Sequence, residues 1–481
     1  MRDYREPVVH KKTNGLNIAC VVLMVALICV VLFAAVGVVG FVVFYQPSPH
    51  VGTGKRATPA PSIAATAPRV ATQAALAPTW TATVPPPSPT STPAPTDTAT
   101  PAAPPATAQP ADLNPPAVTR AETPAPRRKA AQGLHMNSPE YGMQAFLWWR
   151  AETADRDLRL IDEAGFTWVK QICGWRDIEG AGKNQFDWER PDRIIQQVEA
   201  HGLNLIARID NQPAWAGGGF PGIGAPDNLQ DYADFVYAFA SRYKGRVRAY
   251  QIWNEPNLAR EWGEKAPDPA GYTAMLKAAY GAVKRADPQA MVISAGMAPT
   301  SRSDHVAMPD VDFIRGMYQA GAKPFFDVLG AHGAGFKVPP ETDPAQVAND
   351  PALYNGDPSP AERRRIYCFR HTEDLRQVMV ESGDADKQVA LLEFGWTSDS
   401  RPDSPYHWHA VTEKEKADYF VRAYQYAKQH WAPWVGVMSL IYMPYPEWKE
   451  DDEKWWWAII DPKYPELQMR PAYAELKTMP K

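Results

Sequence analysis

From about residue 138 onward, short runs in which nearly every position is apolar alternate with longer stretches whose apolar positions recur every three to four residues. A run that is apolar throughout reads as a strand covered on both faces, and the longer spacing reads as a helix with one face on a core. The runs predict strands at Tyr141–Trp148, Trp168–Cys173, Leu203–Asp210, Val247–Trp253, Met291–Gly296, Val328–His332, Val389–Phe394 and Val435–Tyr442. Helices are expected between and after them, at Asp155–Ala164, Pro191–His201, Leu229–Tyr243, Ala270–Ala286, Phe313–Ala320, Ala361–Glu381, Glu413–His430 and Pro471–Lys477. Gly165, Gly202 and Gly321 each follow a last apolar turn, where a helix C-terminal cap belongs. Eight strand–helix units in about 340 residues fit a (β/α)8 TIM barrel. A doubly wound open sheet is the alternative. It would open with a glycine-rich phosphate turn after its first strand, and Leu147-Trp148-Trp149-Arg150 contains no glycine.

The first part of the chain has a different pattern. Ile18 to Tyr45 is a run of 28 residues without a charge, enough to cross a bilayer with tilt and too long for the apolar part of a cleavable signal peptide. Arg2, Arg5, Lys11 and Lys12 precede it, whereas Lys55 and Arg56 follow at a distance, which orients the N-terminus inward. Residues 46–134 hold 20 of the 48 prolines and a single aromatic, Trp80, so they cannot bury enough surface to fold and read as a disordered Pro/Ala/Thr-rich linker. The expected organisation is a cytoplasmic tail (1–17), a transmembrane helix (18–45), the linker (46–134) and a barrel domain (135–481) outside the cell. The lipid bilayer is then a partner through residues 18–45.

Composition narrows the function. Against 54 acidic residues stand 50 Lys and Arg, a net charge of −4, so no basic surplus exists to neutralise phosphates and nucleic acid is not an expected partner. Four cysteines exclude a disulfide scaffold, and no Cys/His spacing suggests zinc. Cys173 and Cys368 read as separate buried thiols, with a bridge between them left open in an oxidising compartment. His407 and His409 lack a third ligand, so no metal is expected and the pair reads as part of a surface loop.

Barrel chemistry sits at the C-terminal ends of strands. Strand four ends in Ile252-Trp253-Asn254-Glu255-Pro256, strand seven in Leu391-Leu392-Glu393-Phe394-Gly395-Trp396. A carboxylate emerging from an apolar strand is costly unless it is paired or used. Two of them on non-neighbouring strands point to glycoside hydrolysis, in which one carboxyl protonates the leaving oxygen and the other attacks the anomeric carbon. Side chains supply both proton and nucleophile, so no cofactor is needed.

The Trp253-Asn254-Glu255-Pro256 and Glu393-Phe394-Gly395-Trp396 motifs resemble those of clan A glycoside hydrolases of the family 39 and family 5 type. Ala164–Lys170, Trp175–Glu179, Phe186-Asp187-Trp188, Pro213–Ala216 and Pro471-Ala472-Tyr473 extend the likeness over nearly the whole domain. The resemblance implies a retaining double displacement, with Glu255 as acid/base, Glu393 as nucleophile and Asn254 on the sugar 2-hydroxyl. It also implies an arginine near the nucleophile at the second-strand end. Lys170 stands there, without the planar fork, and Arg208 late in strand three is the candidate substitute. At the sixth-strand end the resemblance implies a histidine followed shortly by a tyrosine. His332 is present as a cleft residue, but Gly333-Ala334-Gly335 follows it.

Trp175, Trp215, Trp396 and Trp457 are candidate stacking platforms, since indole offers sugar rings a flat apolar face. The polar, proline- and glycine-rich segment from His332 to Arg364 is expected to wall the cleft. The expected function is hydrolysis of a β-linked polysaccharide or oligosaccharide outside the membrane. The alternative is a catalytically weakened carbohydrate-binding or cell-wall interaction protein on the same scaffold, suggested by Lys170 and the glycines after His332.

Overall fold

Each apolar run does form a strand, and the eight close on themselves in sequence order. The computed structural model describes residues 134–217, 222–462 and 467–481. Strands β1 (Glu140–Gln144), β2 (Trp168–Ile172), β3 (Asn204–Ile209), β4 (Ala249–Ile252), β5 (Met291–Ile293), β6 (Val328–Ala334), β7 (Gln388–Gly395) and β8 (Val435–Leu440) form a closed barrel in which every neighbouring pair is parallel. This is the (β/α)8 arrangement that the alternation predicts. Several strands end earlier than their apolar runs, because the last residues leave the ladder to build the mouth.

Helices cover the outside: α1 (Ala151–Glu163), α2 (Trp175–Ile178), α3 (Glu189–Ala200), α4 (Leu229–Arg242), α5 (Pro269–Ala286), α6 (Asp310–Gln319), α7 (Pro344–Asn349), α8 (Ala361–Arg364), α9 (Thr372–Glu381), α10 (Glu413–Tyr426), α11 (Glu453–Trp457) and α12 (Pro471–Thr478). Local chemistry starts several of them. Asp268 caps α5 ahead of a first-turn proline, and Thr412 and Glu415 form a reciprocal capping box on α10. Two helical expectations are corrected. The predicted Ala361–Glu381 helix is broken, because the chain between α8 and α9 turns Ile366 and Tyr367 into an apolar cluster above the barrel. The predicted Glu413–His430 helix ends at Tyr426 and passes into a π-helical turn, Ala427–Trp431.

Three apolar layers result. The main one lies between strands and helices. A second fills the lower barrel with Met136, Trp168, Ile206, Ala249, Met291, Ile293, Val328, Ala390, Leu392 and Val437. The third roofs part of the mouth, where loops after β1, β6, β7 and β8 bring together Phe146, Phe336, Tyr367, Tyr406, Tyr442, Tyr445, Trp448 and Trp457. The expected transmembrane helix (18–45) lies outside the described residues, as does the expected linker apart from its last residue. Among the described residues no helix is long and apolar enough to cross a membrane.

Candidate active site

Side chains alternate along a strand, so a residue two positions beyond one that fills the lower barrel faces the same interior. Applied to the lower layer, that rule gives Lys170 after Trp168, Arg208 after Ile206, Gln251 after Ala249 and Ser439 after Val437. Gln144 follows Gly142 in the same way, beside Lys170 in the ladder. The barrel is therefore apolar below and polar above. All five polar side chains are buried.

The two acids reach this layer by local departures from regular strand. Between Ala331 and His332 the β6–β7 register shifts by one, so that His332 pairs with Glu393 and Leu392 is passed over. A bulge of this kind re-aims the following side chain, here away from the helices and into the barrel. Glu255 sits in the turn after β4, where Trp253 and Glu255 both take positive φ, 67° and 41°. Such backbone is costly for residues with a β-carbon and concentrates at functional sites.

Both carboxyls are buried, Glu255 at 0% and Glu393 at 1% exposure, and their surroundings differ. Glu393 Oε1 accepts from Lys170 Nζ at 2.8 Å and lies 3.6 Å from an Arg208 terminal nitrogen. Lys170 also donates to the Leu392 carbonyl at 3.1 Å, and Arg208 pairs with Asp210. Glu255 Oε2 accepts from Arg260 at 3.1 Å, while its Oε1 meets His332 Nδ1 at 3.1 Å. Burial pushes the Glu255 carboxyl up, opposed by the charges of Arg260, Arg208 and Lys170. Burial likewise pushes His332 down to about 3, so its ring is neutral. The Tyr442 hydroxyl after β8 is pushed well up by burial and then by the charges of Glu393, Glu453 and Glu255, which places it near both acids.

Several buried polar atoms here have no hydrogen-bond partner among the described residues: Asn254 Nδ2, Glu393 Oε2, His332 Nε2, an Arg208 nitrogen, both amide atoms of Gln144 and Ser439 Oγ. Unpaired buried polar atoms cost free energy and are rare in folded proteins. Clustered at the mouth of one barrel, they read as the lining of a site for a hydroxyl-rich ligand. Gln251 donates to Asn254 Oδ1 at 3.3 Å, which leaves Asn254 Nδ2 as the free donor.

Glu255, Glu393, Asn254, Lys170, Arg208 and His332 are thus brought together. The tryptophans are not. Trp175 is fully buried, stacked on Phe235 at 5.6 Å, with its N–H on Glu179. Trp396 is fully buried against Phe369, Tyr419 and Phe420, with its N–H on the Val338 carbonyl. Trp457 is buried in the roof. Trp215 remains half-buried at the mouth, held by its N–H on the Glu179 carbonyl at 2.7 Å and edge-on to Trp175. His409 is a further correction. It is buried between Phe336 and Trp457 rather than on a surface loop, and no group of metal ligands is found among the described residues. Cys173 and Cys368 are separate buried thiols. Sequence reading missed Gln144, Gln251, Ser439, Arg260 and Tyr442. The two-residue step along the interior face could have found the first three.

Residues 130–356 match the family described as Cellulase (glycosyl hydrolase family 5), a span that includes Glu255 and stops before Glu393. No curated protein matches the chain. Among solved structures, a family 39 glycoside hydrolase from the gut symbiont Bacteroides cellulosilyticus WH2 superposes with a TM-score of 0.52 at 20% identity, over 71% of this chain and 63% of that one. A GH5_18 variant from Streptomyces cattleya, in complex with Manb1-4GlcNAc, superposes with a TM-score of 0.50 at 12% identity, over 71% of this chain and 79% of that one. A GH39 β-xylosidase from Caulobacter crescentus reaches 0.48 at 18% identity, over 73% and 72%. At these identities the first two superpositions show the shared fold alone. The family match and the closed eight-stranded barrel point in the same direction.

Proposed function

We propose that this chain is a retaining O-glycosyl hydrolase of β-linked polysaccharides or oligosaccharides, with Glu255 as acid/base and Glu393 as nucleophile. The observation that carries the reading is the unequal setting of two buried carboxyls at the ends of β4 and β7. Burial raises the Glu255 carboxyl, the direction that suits a proton donor to the glycosidic oxygen. Glu393 lies against two cations, Lys170 and Arg208, at the opposite strand end, where the group that attacks the anomeric carbon is required. The proton passes from Glu255 to the leaving oxygen as the bond from Glu393 to the sugar forms. Water then releases the sugar after giving its proton to Glu255. His332 suits both halves. Its neutral Nδ1 accepts from protonated Glu255, and in the other tautomer it donates to the carboxylate. Asn254 Nδ2 is the donor available to a 2-hydroxyl.

The test is turnover of aryl β-glycosides by the full chain. Glu255→Gln is expected to lower kcat/KM by about 10²–10⁴-fold for a poor leaving group. For dinitrophenyl glycosides, whose leaving group needs no proton, the loss should be much smaller. Glu393→Gln should abolish turnover for both. Equal activity of the wild type and both variants would sink the assignment.

Lys170 in place of arginine favours a second reading, a sugar-binding barrel with weakened catalysis. That reading requires wild type and both variants to be equally inactive on every glycoside while glycans still bind. For residues 18–45 we propose a single membrane span with the N-terminus inside and residues 135–481 outside, supported by the uncharged run and the flanking cations.

A further inference from the structure

The mouth of the barrel is unequal on its two sides. On the nucleophile side the roof rises from the strand ends next to Glu393. The Ile441 amide donates to the Phe394 carbonyl at 3.1 Å, and Ile441, Tyr442 and Ala334 all belong to the roof cluster. Rings from different loops then lock together: Phe146 after β1 lies 4.9 Å from Trp448 and 5.7 Å from Tyr442, both after β8. Phe336 after β6 lies 5.0 Å from Tyr367 and 5.8 Å from Trp408, the latter in the loop after β7. Phe146, Phe336, Tyr367, Tyr442 and Trp448 are all buried.

The loops after β2, β3 and β4 contribute nothing to that cluster and carry polar, half-exposed groups. Arg176, Asn211 and Trp215 belong to this rim. Arg260, with its side chain 33% exposed, bonds directly to Glu255, which is itself closed to solvent. Arg260 therefore joins the solvent-exposed rim directly to the acid/base.

Resting on the hydrolase reading above, we infer that the site is blind: it accepts one terminal sugar unit and releases it from the non-reducing end of a chain. The cleaved unit is attacked at its anomeric carbon, so the rest of the substrate, bonded through that carbon, leaves on the Glu255 side over Arg260 and Trp215. Further sugars on the unit's other hydroxyls would have to pass through the aromatic roof. Trp215, pinned by its N–H and partly exposed, offers the departing chain a fixed apolar surface. The roof also excludes water from the nucleophile, which strengthens the ion pairs around it.

Product analysis with the full chain decides the matter. The probes are β-1,4-linked tetrasaccharides of glucose, xylose and mannose labelled at the reducing end, with aryl β-glycosides of the same sugars run beside them. The expected first products are free monosaccharide and labelled trisaccharide, and the corresponding polysaccharides should release sugar with little loss of viscosity. Phe146→Ala, which removes a ring from the roof, should add disaccharide to the products. Labelled disaccharide among the first wild-type products, or an early collapse of viscosity, would overturn the blind pocket and leave the hydrolase reading standing. No release from any tetrasaccharide or aryl glycoside would overturn the hydrolase reading, and this inference with it.

Discussion

Lys170 holds Glu393 with a group that can lose its proton, which an arginine in that place could not. The groups facing it are Glu393 from β7 and Arg208 and Asp210 from the β3 side, with His332 on β6 also within reach of its charge. Burial, opposed by Glu393 and reinforced by Arg208, pulls the ammonium down to about 8. Below that pH the Lys170 ammonium is charged. Above it Glu393 is left with Arg208, 3.6 Å away. A hydrogen bond to a charged group contributes about 1.5–3 kcal/mol, so kcat/KM should fall about tenfold or more as pH rises through 8. Lys170→Arg should move that alkaline limb upward, and Lys170→Met should lower activity at every pH. A limb unmoved in Lys170→Arg would show that another group titrates. The two glutamates were legible because a carboxyl closing an apolar strand is costly wherever it goes unpaired and unused. Trp175 and Trp396 misled for the converse reason: a tryptophan at a strand end can turn towards cleft or helix at little cost, and only packing decides.

Between elements, His371 ties the start of α6 to the start of α9. Its Nε2 meets Asp310 at 2.9 Å and its Nδ1 meets Asp374 at 3.0 Å, so both ring nitrogens serve as donors and the imidazole is charged. Burial disfavours that charge, but the two aspartates overcome it and hold the group at about 10. A raised folded value means that the stabilisation is complete below the unfolded histidine value, about 6.5, and is lost as pH climbs through about 10. Breaking a buried ion pair from one side costs about 3–5 kcal/mol. His371→Leu should show a deficit of that order by urea unfolding at pH 6 and a much smaller one near pH 10. A deficit constant across that range would exclude a charged clamp. The break beside this clamp was illegible, because the apolar spacing runs on from residue 361 to 381 and only the roof draws Ile366 and Tyr367 out of it. The β7 bulge was illegible as well, since one skipped residue leaves no mark in an apolar run.

At the scale of the molecule, the eightfold alternation was readable from end to end, because buried strands and amphipathic helices differ in period everywhere along the domain. The chain's entry into the barrel was not readable. Met136 fills the lower barrel, its amide donates to Gln388 Oε1 at 2.8 Å, its carbonyl accepts from Gln388 Nε2 at 3.0 Å, and its sulfur accepts from the Val437 amide at 3.1 Å. The residues before β1 therefore close the N-terminal end of the strands, opposite the two glutamates. The first described residues thus lie at the end of the barrel away from the site. Met136→Ala should then cost about 2–5 kcal/mol of stability, as truncation of a buried methionine does, while kcat/KM measured well below the unfolding transition stays at the wild-type value. A drop in kcat/KM without loss of stability would mean that the lower layer sets the geometry of the polar layer above it, and that the two ends of the barrel are coupled.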